Sequence, residues 1–258
     1  MAYQRAYVPM KYIKITNGYG DGTGHPYSYA LDLAGKDGGK DEVFAFADCK
    51  VTKLYQPRTK SGKIDTTHAP EVWLTSTKPV LCSNGYYGIM TMSLTHSPEI
   101  YNMKLGQKFK QFDIVCHEGN QGVSNGNHIH LELSKGEEAG WDIITKKVKV
   151  DGKIKTKKYY VNKNRVKPEE YLFATEDTVY LQETKNGKTY HFKKESEMTY
   201  IVKGVVSEPL IIRSLPYPLG HKIGELYNGD EVIKFNDKAL VYHYECLGYT
   251  SKKYLKKV

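Results

Sequence analysis

The sequence is poor in cysteine, with only Cys49, Cys82, Cys116 and Cys246 among its 258 residues. No Cys-x-x-Cys pair of the kind that holds a structural zinc is present, and no dense set that would build a disulfide framework. We therefore expect reduced, mostly buried thiols, with Cys116 in a core strand. A thiol nucleophile formed by Cys116 beside His117 is an alternative, although neighbours in a strand face opposite ways.

Long hydrophobic runs are also missing. No stretch approaches the roughly 18 apolar residues that a membrane helix requires, so we expect no membrane insertion. Residues 1–10 lack the apolar core of a signal peptide, and we expect a chain that does not use the usual secretory route.

Apolar stripes at helical spacing are scarce, whereas tyrosine is abundant, with 22 residues. β-Branched and aromatic residues recur in short runs separated by Gly, Asn and Asp, which predicts an all-β, mainly antiparallel protein. Only residues 168–173, with Pro168 at the first position, indicate a helical turn. Asp-Gly within residues 148–155 and Asn-Gly within residues 185–188 predict hairpins. Residues 56–79, with their prolines and lysines, are expected to form a surface loop.

The chain carries a net charge of +9, and much of the excess lies at residues 146–167 and 252–257. A basic surface favours polyanions, including nucleic acids and phosphate-bearing polymers. Neither cluster resembles a helix-turn-helix, a zinc finger or an aromatic-basic RNA-binding motif, so we expect no specific nucleic-acid binding. For the first cluster, lysines that solvate a hairpin are the simpler interpretation.

The most informative stretch is residues 126–133, which contains His128 and His130. Alternate residues of a strand share a face, so both imidazoles would point into one space while Leu131 and Leu133 face the core. Two adjacent imidazoles are unfavourable unless their nitrogens have partners, and a metal ion is the commonest solution. An exposed His-x-His strand without a function is the alternative.

Further ligands stand upstream, where His25 and Asp32 lie in one short stretch. Zinc in catalytic sites takes three protein ligands from His, Asp or Glu and leaves a fourth position open. Two histidines and one carboxylate would satisfy this requirement.

In this order the motifs resemble the lysostaphin-type zinc endopeptidases, which cut bacterial peptidoglycan. The similarity covers about residues 18–173 and includes the Tyr-Ala-x-Asp context of Asp32 and a Gly-rich loop before the His-x-His strand. The resemblance implies one Zn²⁺ per chain, bound by His25, Asp32 and His130. It also implies hydrolysis of peptide bonds in the stem peptide or cross-bridge of peptidoglycan.

The same resemblance assigns His96 and His128 as the catalytic histidines that flank the attacking water. His96 would stand at the end of a core strand, where a side chain is held rigidly. One of the two would act as general base, and which one stays open. His68 and His117 are alternatives for the role of His96.

The last part of the chain is similar to a bacterial SH3-type domain, a small β-barrel that commonly grips the cell wall. An isoleucine-glycine-x-leucine run with a Gly-Asp turn and a glycine-tyrosine-x-serine-x-x-tyrosine-leucine ending carry this similarity. The candidate contact residues are Tyr217, Tyr242, Tyr244 and Tyr249. A spacer without binding function is the alternative.

Together these interpretations predict a catalytic domain at residues 1–174, a connecting hairpin at 175–204 and a wall-binding domain at 205–258. They indicate a phage endolysin, made in the host cytoplasm without a signal peptide and acting on the cell wall after release. Peptidoglycan and anionic wall polymers are the expected partners. Two alternatives remain: a non-catalytic wall-binding or phage tail protein with a degenerate peptidase fold, and a nucleic-acid binder attracted by the positive charge.

Overall fold

A computed structural model describes residues 3–20, 23–36, 38, 40–150, 153–206, 208–216, 219–243 and 246–258. Within this part of the chain the regular structure is almost entirely strand, with one helical turn, α1 (Pro168–Tyr171), and short 3-10 turns at Pro98–Asn102, Ser196–Met198 and Lys252–Tyr254. The predicted all-β fold class is confirmed. None of the described helices is long or apolar enough to cross a bilayer.

The strands before α1 are β1 (Tyr12–Asn17), β2 (Leu31–Ala34), β3 (Glu42–Phe44), β4 (Cys49–Tyr55), β5 (Glu71–Ser76), β6 (Val80–Leu81), β7 (Tyr87–Gly88), β8 (Met90–Thr95), β9 (Lys108–Phe109), β10 (Ile114–His117), β11 (Ile129–Lys135), β12 (Trp141–Val150), β13 (Lys153–Asn162) and β14 (Arg165–Val166). Those after α1 are β15 (Val179–Gln182), β16 (Thr184–Lys185), β17 (Lys188–Thr189), β18 (Thr199–Val202), β19 (Leu210–Arg213), β20 (Lys222–Leu226), β21 (Glu231–Lys234), β22 (Leu240–His243), β23 (Cys246–Tyr249) and β24 (Leu255–Lys257).

The larger sheet has nine strands in the order β15-β1-β2-β11-β8-β5-β4-β9, with β14 also paired to β11. All of these pairs are antiparallel except β1 with β15. In the central strands, Leu31, Leu33, Leu131 and Leu133 are fully buried in the core. Since alternate residues face opposite ways, the residues between these leucines share the other face of the sheet.

The prediction that residues 56–79 form a surface loop is wrong for the second half of this stretch. β5 lies between β8 and β4 in the sheet, and all six of its residues are buried. A strand covered on both faces shows no alternation of polar and apolar residues, so its pattern differs from that of a half-exposed strand. Trp73 links β5 to β13, because its Nε1 donates to Oδ1 of Asn162 at 3.0 Å.

The stretch predicted as a connecting hairpin, residues 175–204, contributes strands to both sheets. β15 joins the larger sheet beside β1, and Tyr190 and Phe192 are buried in the core of that sheet. The Asn-Gly hairpin is present as β16 and β17. β18, at the end of the stretch, belongs to the second sheet. The predicted linker is thus divided between the two sheets.

The second sheet has seven strands in the order β20-β19-β23-β22-β21-β18-β24. Its own core includes Val202, Ile212 and Val241. A third cluster, formed by Leu81, Phe173, Met198, Phe235 and Tyr242, packs residues of both parts of the chain together. The similarity of residues 205–258 to an SH3-type domain stays a prediction.

The four cysteines are free, with Cys246 half-buried and the other three buried. Burial raises the pKa of Cys116 to about 12, with the charge of Glu99 adding to the effect against a hydrogen bond from Ser97. The thiol is therefore protonated at neutral pH, and because the thiolate is the nucleophilic form, we reject the alternative in which Cys116 is a nucleophile.

The packing of residues 175–204 can be tested by removing a ring that only a core residue would need. We expect Phe192→Ala to lower the free energy of unfolding by about 3–5 kcal/mol, because the fully buried ring leaves a cavity. The neighbouring exposed Lys193→Ala should change it by less than about 0.5 kcal/mol. Urea unfolding of both variants measures the difference, and equal midpoints would show that the segment is a tether.

Candidate metal centre and cleft

Three predicted ligands meet on the face of the larger sheet that lies opposite its leucines. Asp32 on β2 stands directly opposite His130 on β11, and His25 lies in the loop that leads into β2. Nε2 of His25 is 2.9 Å from Oδ2 of Asp32, and Nδ1 of His130 is 3.0 Å from Oδ1 of Asp32. The donor atoms of all three lie within 4.8 Å of one another.

This donor set fits a zinc ion. Two imidazole nitrogens and one carboxylate are a ligand combination that catalytic zinc uses, and they leave a position free. Burial alone would raise the pKa of Asp32, but hydrogen bonds with His130 and His25 outweigh it and hold that pKa well below its usual range. Burial would lower the pKa of His130, whereas its bonds to Asp32 and Glu132 raise it to about 10. A metal ion would replace the protons held in these bonds, because ligating histidines are neutral.

The two predicted catalytic histidines flank the three ligands. The ring centroids of His96 and His128 are 4.5 Å apart, and Nε2 of His128 is 3.7 Å from Oδ1 of Asp32. Nδ1 of His96 lies 2.7 Å from the carbonyl oxygen of Gln121, and Nδ1 of His128 lies 2.9 Å from that of Gly126. A carbonyl only accepts, so Nδ1 carries a proton in each ring.

His96 is held in an unusual conformation. It follows β8 immediately and has a φ of 79°, in the left-handed region that non-glycine residues rarely adopt. Burial lowers its pKa to about 4, with the neighbouring histidines adding to the effect against the bond to Gln121. Its ring is therefore neutral at pH 7 and can accept a proton.

Two buried carboxylates beside this group were not predicted. Oε1 of Glu132 lies 3.3 Å from Nε2 of His130, and Oε2 accepts from the backbone N–H of Asn162 at 3.1 Å. Oε2 of Glu71 accepts from Nε1 of Trp141 at 3.0 Å, and burial together with the charge of Glu132 raises the pKa of Glu71 to about 8.

The position of one of these carboxylates can be predicted from the sequence. Glu132 follows His130 by two residues in a predicted strand, so alternation places both on one face. The sequence around Glu71 shows no such alternation, because every residue of β5 is buried. Nδ1 of His130 faces Asp32, and Nε2 faces Glu132. A metal ion bound at Nδ1 would complete the carboxylate–histidine–metal arrangement that orients ligands in metal sites.

A cleft of about 620 Å³ opens above these residues. Its walls include the ligands His25 and His130 together with His96, both buried carboxylates, and the aromatic rings of Tyr55, Trp141 and Tyr160. A cavity of this size with a few convergent polar groups can hold several residues of an extended peptide.

The alternative histidines occupy other positions. His68 lies at the edge of the cleft, but its side chain is 62% exposed and bound to Asp65. His117 is on β10, where its Nδ1 is 2.8 Å from Oε1 of Glu99. Of the four histidines weighed for the catalytic roles, the structure brings His96 and His128 to the three ligands.

The candidate wall-contacting tyrosines fall in different surroundings. Tyr249 is half-buried and lines a cavity of about 630 Å³ in the second sheet, beside Arg213. Tyr242 is only 7% exposed and packs against the ring of Tyr3 at 5.6 Å between centroids, so it offers little surface to a ligand. Tyr217 and Tyr244 lie outside the described residues.

No protein-family model matches the sequence. The solved structures to which this chain is similar include peptidases. They include the antimicrobial peptidase lysostaphin from Staphylococcus simulans, 16% identical, with a TM-score of 0.35 over 98% of this chain and 85% of the other. A zinc-containing peptidase from Vibrio cholerae is 21% identical, with a TM-score of 0.34 over 52% and 36%.

A curated relative is Morphogenesis protein 1 of Bacillus phage B103, which is 29% identical over 140 residues. The matched part is 54% of this chain, and it spans about a third, 34%, of the length of that relative.

The role of Glu132 can be tested with an isosteric change. A glutamine offers one acceptor oxygen, whereas Glu132 accepts from both His130 and the backbone of Asn162, so Glu132→Gln leaves one donor facing an amide N–H. We expect zinc affinity to fall by about 10–100-fold, as for other partners of metal-binding histidines.

Titration against a competing chelator measures this affinity. Glu138→Gln, at a carboxylate whose side chain is 62% exposed, is the matched control and should bind zinc like the parent. Unchanged affinity in Glu132→Gln would show that the carboxylate does not orient the ligand.

Proposed function

We propose that this protein is a zinc-dependent endopeptidase that hydrolyses peptide bonds of bacterial peptidoglycan. The observation that carries the proposal is the convergence of His25, Asp32 and His130, with two further histidines beside them, at a cleft that His25, His96 and His130 line. The resemblance of the motifs to lysostaphin-type peptidases supports the substrate class.

In this proposal His25, Asp32 and His130 hold the zinc ion. When bound, zinc supplies Lewis acidity, which polarises the scissile carbonyl and activates water near neutral pH. Asp32 balances part of the positive charge, and the bond from His130 to Glu132 keeps the ring in one orientation.

The remaining chemistry is assigned to His96 and His128. Each has its Nδ1 proton bound to a backbone carbonyl, so Nε2 is the atom that can take a proton from water. One ring would accept this proton at Nε2 and then give it to the leaving amine. The other ring, 4.5 Å away between centroids, would stabilise the developing oxyanion only when its own Nε2 carries a proton. The aromatic walls of the cleft would hold the peptide on either side of the bond.

We further propose that residues 205–258 bind the cell wall and that the protein belongs to a phage, in which it acts as an endolysin. The 29% identity to a phage protein named for morphogenesis supports a phage setting.

The same name also favours a second candidate, a peptidase carried on the phage particle. Antibody detection in purified particles separates the two, because an endolysin is found free in the lysate.

A non-catalytic wall-binding or tail protein with a degenerate fold is the contrasting possibility. The five residues that hydrolysis would need are all present and adjacent, which favours an active site. Elemental analysis discriminates directly, since a degenerate copy should purify without stoichiometric zinc.

Removal of either catalytic histidine should separate turnover from metal binding. We expect His96→Ala and His128→Ala each to slow wall hydrolysis by about 10²–10⁴-fold, the usual contribution of acid–base assistance, while zinc content stays near that of the parent. His117→Ala, at a histidine that pairs with Glu99 and not with the ligands, should retain full activity. Activity within a few-fold of the parent in both site variants would contradict the assigned roles.

Loss of a ligand should abolish both metal binding and activity. We expect Asp32→Asn to purify with little zinc and to leave walls intact, because the neutral amide no longer balances the metal charge. Mass analysis of fragments from the parent should show new amino termini. Reducing sugars as the only product, or lysis that a chelator leaves unchanged, would refute the proposed peptidase.

A further inference from the structure

The hairpin of β12 and β13 is a strongly charged surface that the proposed peptidase chemistry leaves unused. Each strand has ten residues, so the ribbon is about 34 Å long, and it pairs with no third strand among the described residues. A two-stranded ribbon alone is marginally stable, so an uncovered one of this length needs a role or a partner.

Seven lysines lie along this ribbon, and every one of them is exposed: Lys146, Lys147, Lys149, Lys153, Lys155, Lys157 and Lys158. Its described residues include a single acid, Asp142, at the base. None of the seven lysines forms an ion pair with a described residue, in contrast to Lys163 just beyond the hairpin, which lies 3.9 Å from Glu138.

Several of these lysines also lie close to one another on the ribbon. Lys146 and Lys157 stand directly opposite in the ladder, an arrangement that destabilises a hairpin because like charges repel. Lys147 and Lys149 share one face, and Lys155 and Lys157 share the other, at spacings of about 7 Å. Lysines on both faces, without acidic partners among the described residues, would be stabilised by a linear polyanion that follows the ribbon.

The composition of the ribbon favours an anion without bases. Proteins that hold single-stranded nucleic acids combine basic grooves with aromatic rings on which bases stack. Between residues 144 and 158 the hairpin has no aromatic residue, and its aromatic side chains lie at the base, next to the cleft. Phosphate contacts alone carry no base recognition.

The base of the hairpin connects this surface to the candidate site. Trp141 and Tyr160 line the cleft, and the ring of Tyr159 lies 4.6 Å from that of Tyr27, two residues after His25. A polymer held along the ribbon would therefore run past the mouth of the cleft.

We propose that the β12–β13 hairpin binds a polyol-phosphate polymer of the bacterial wall and holds the enzyme on it beside the cleft. This inference rests on the proposed wall peptidase for its choice of polyanion. The lysines supply the contacts to successive phosphates, and the hairpin serves as an arm that keeps the cleft close to the wall.

The test compares two variants with the same change of charge. In the hairpin variant Lys147, Lys149, Lys155 and Lys157 become Gln; in the control Lys60, Lys63, Lys78 and Lys104, which are also exposed and lie outside residues 205–258, become Gln. Binding to fluorescent, lipid-free poly(glycerol phosphate) is measured across a salt series. We expect the hairpin variant to bind about tenfold or more weakly, with a salt slope shallower by about 0.7 for each phosphate that the removed lysines had neutralised. The control variant should bind like the parent.

A third variant protects the test against misfolding. Lys146→Glu places opposite charges across the ladder from Lys157, so it should raise the thermal midpoint while it weakens polymer binding. Weaker binding by a more stable protein cannot be attributed to unfolding.

The outcomes separate this inference from the peptidase. Hydrolysis of a soluble wall peptide, and of walls stripped of polyol phosphate, should be the same in the hairpin variant and the parent. Equal weakening in the control variant, unchanged binding in the hairpin variant, or tighter binding to DNA or anionic vesicles than to the polymer would each overturn the proposed partner. Absence of hydrolysis in every protein, with binding as expected, would refute only the peptidase.

Discussion

The cross-strand pair of Asp32 and His130 is the contact on which the rest of the site depends. Both strands place leucines on the core side at alternate positions, and Leu31, Leu33 and Leu131 are fully buried. A slip of one residue in this pairing would turn the leucines to solvent and the carboxylate into the core, so burial of apolar surface fixes the register. The burial of these leucines thus contributes to holding Asp32 and His130 opposite each other.

The second constraint is the backbone around His96. A left-handed histidine is a strained conformation that persists only where its surroundings determine it. The carbonyl of Gln121 binds its ring, and Gly119 packs so closely that an added Cβ would lie 2.4 Å from the carbonyl oxygen of His96. The Gly-rich loop before β11 therefore has a steric reason for its composition, because Gly119 approaches the backbone of His96 closely.

Strand alternation and the family motifs predicted the all-β class and brought together the histidines that converge in the structure. Alternation could also have included Glu132, since it continues the face of His130. It could not have found Glu71, because a strand buried on both faces has no period, and which strands neighbour each other depends on contacts between distant residues. The same limit applies to residues 175–204, where Tyr190 and Phe192 belong to a core whose other members lie far away in sequence.

Two carboxylates act on His130 from opposite sides, and this explains why two acids can be buried so near a metal site. Asp32 faces Nδ1 and Glu132 faces Nε2, so the ring has no second orientation that satisfies both nitrogens. Glu71, with its pKa raised to about 8, is protonated at neutral pH, which avoids an unpaired second negative charge against Glu132. The cleft floor then has a polar, hydrogen-bonded surface, and the aromatic rings above it can hold a peptide without competing for the metal ligands.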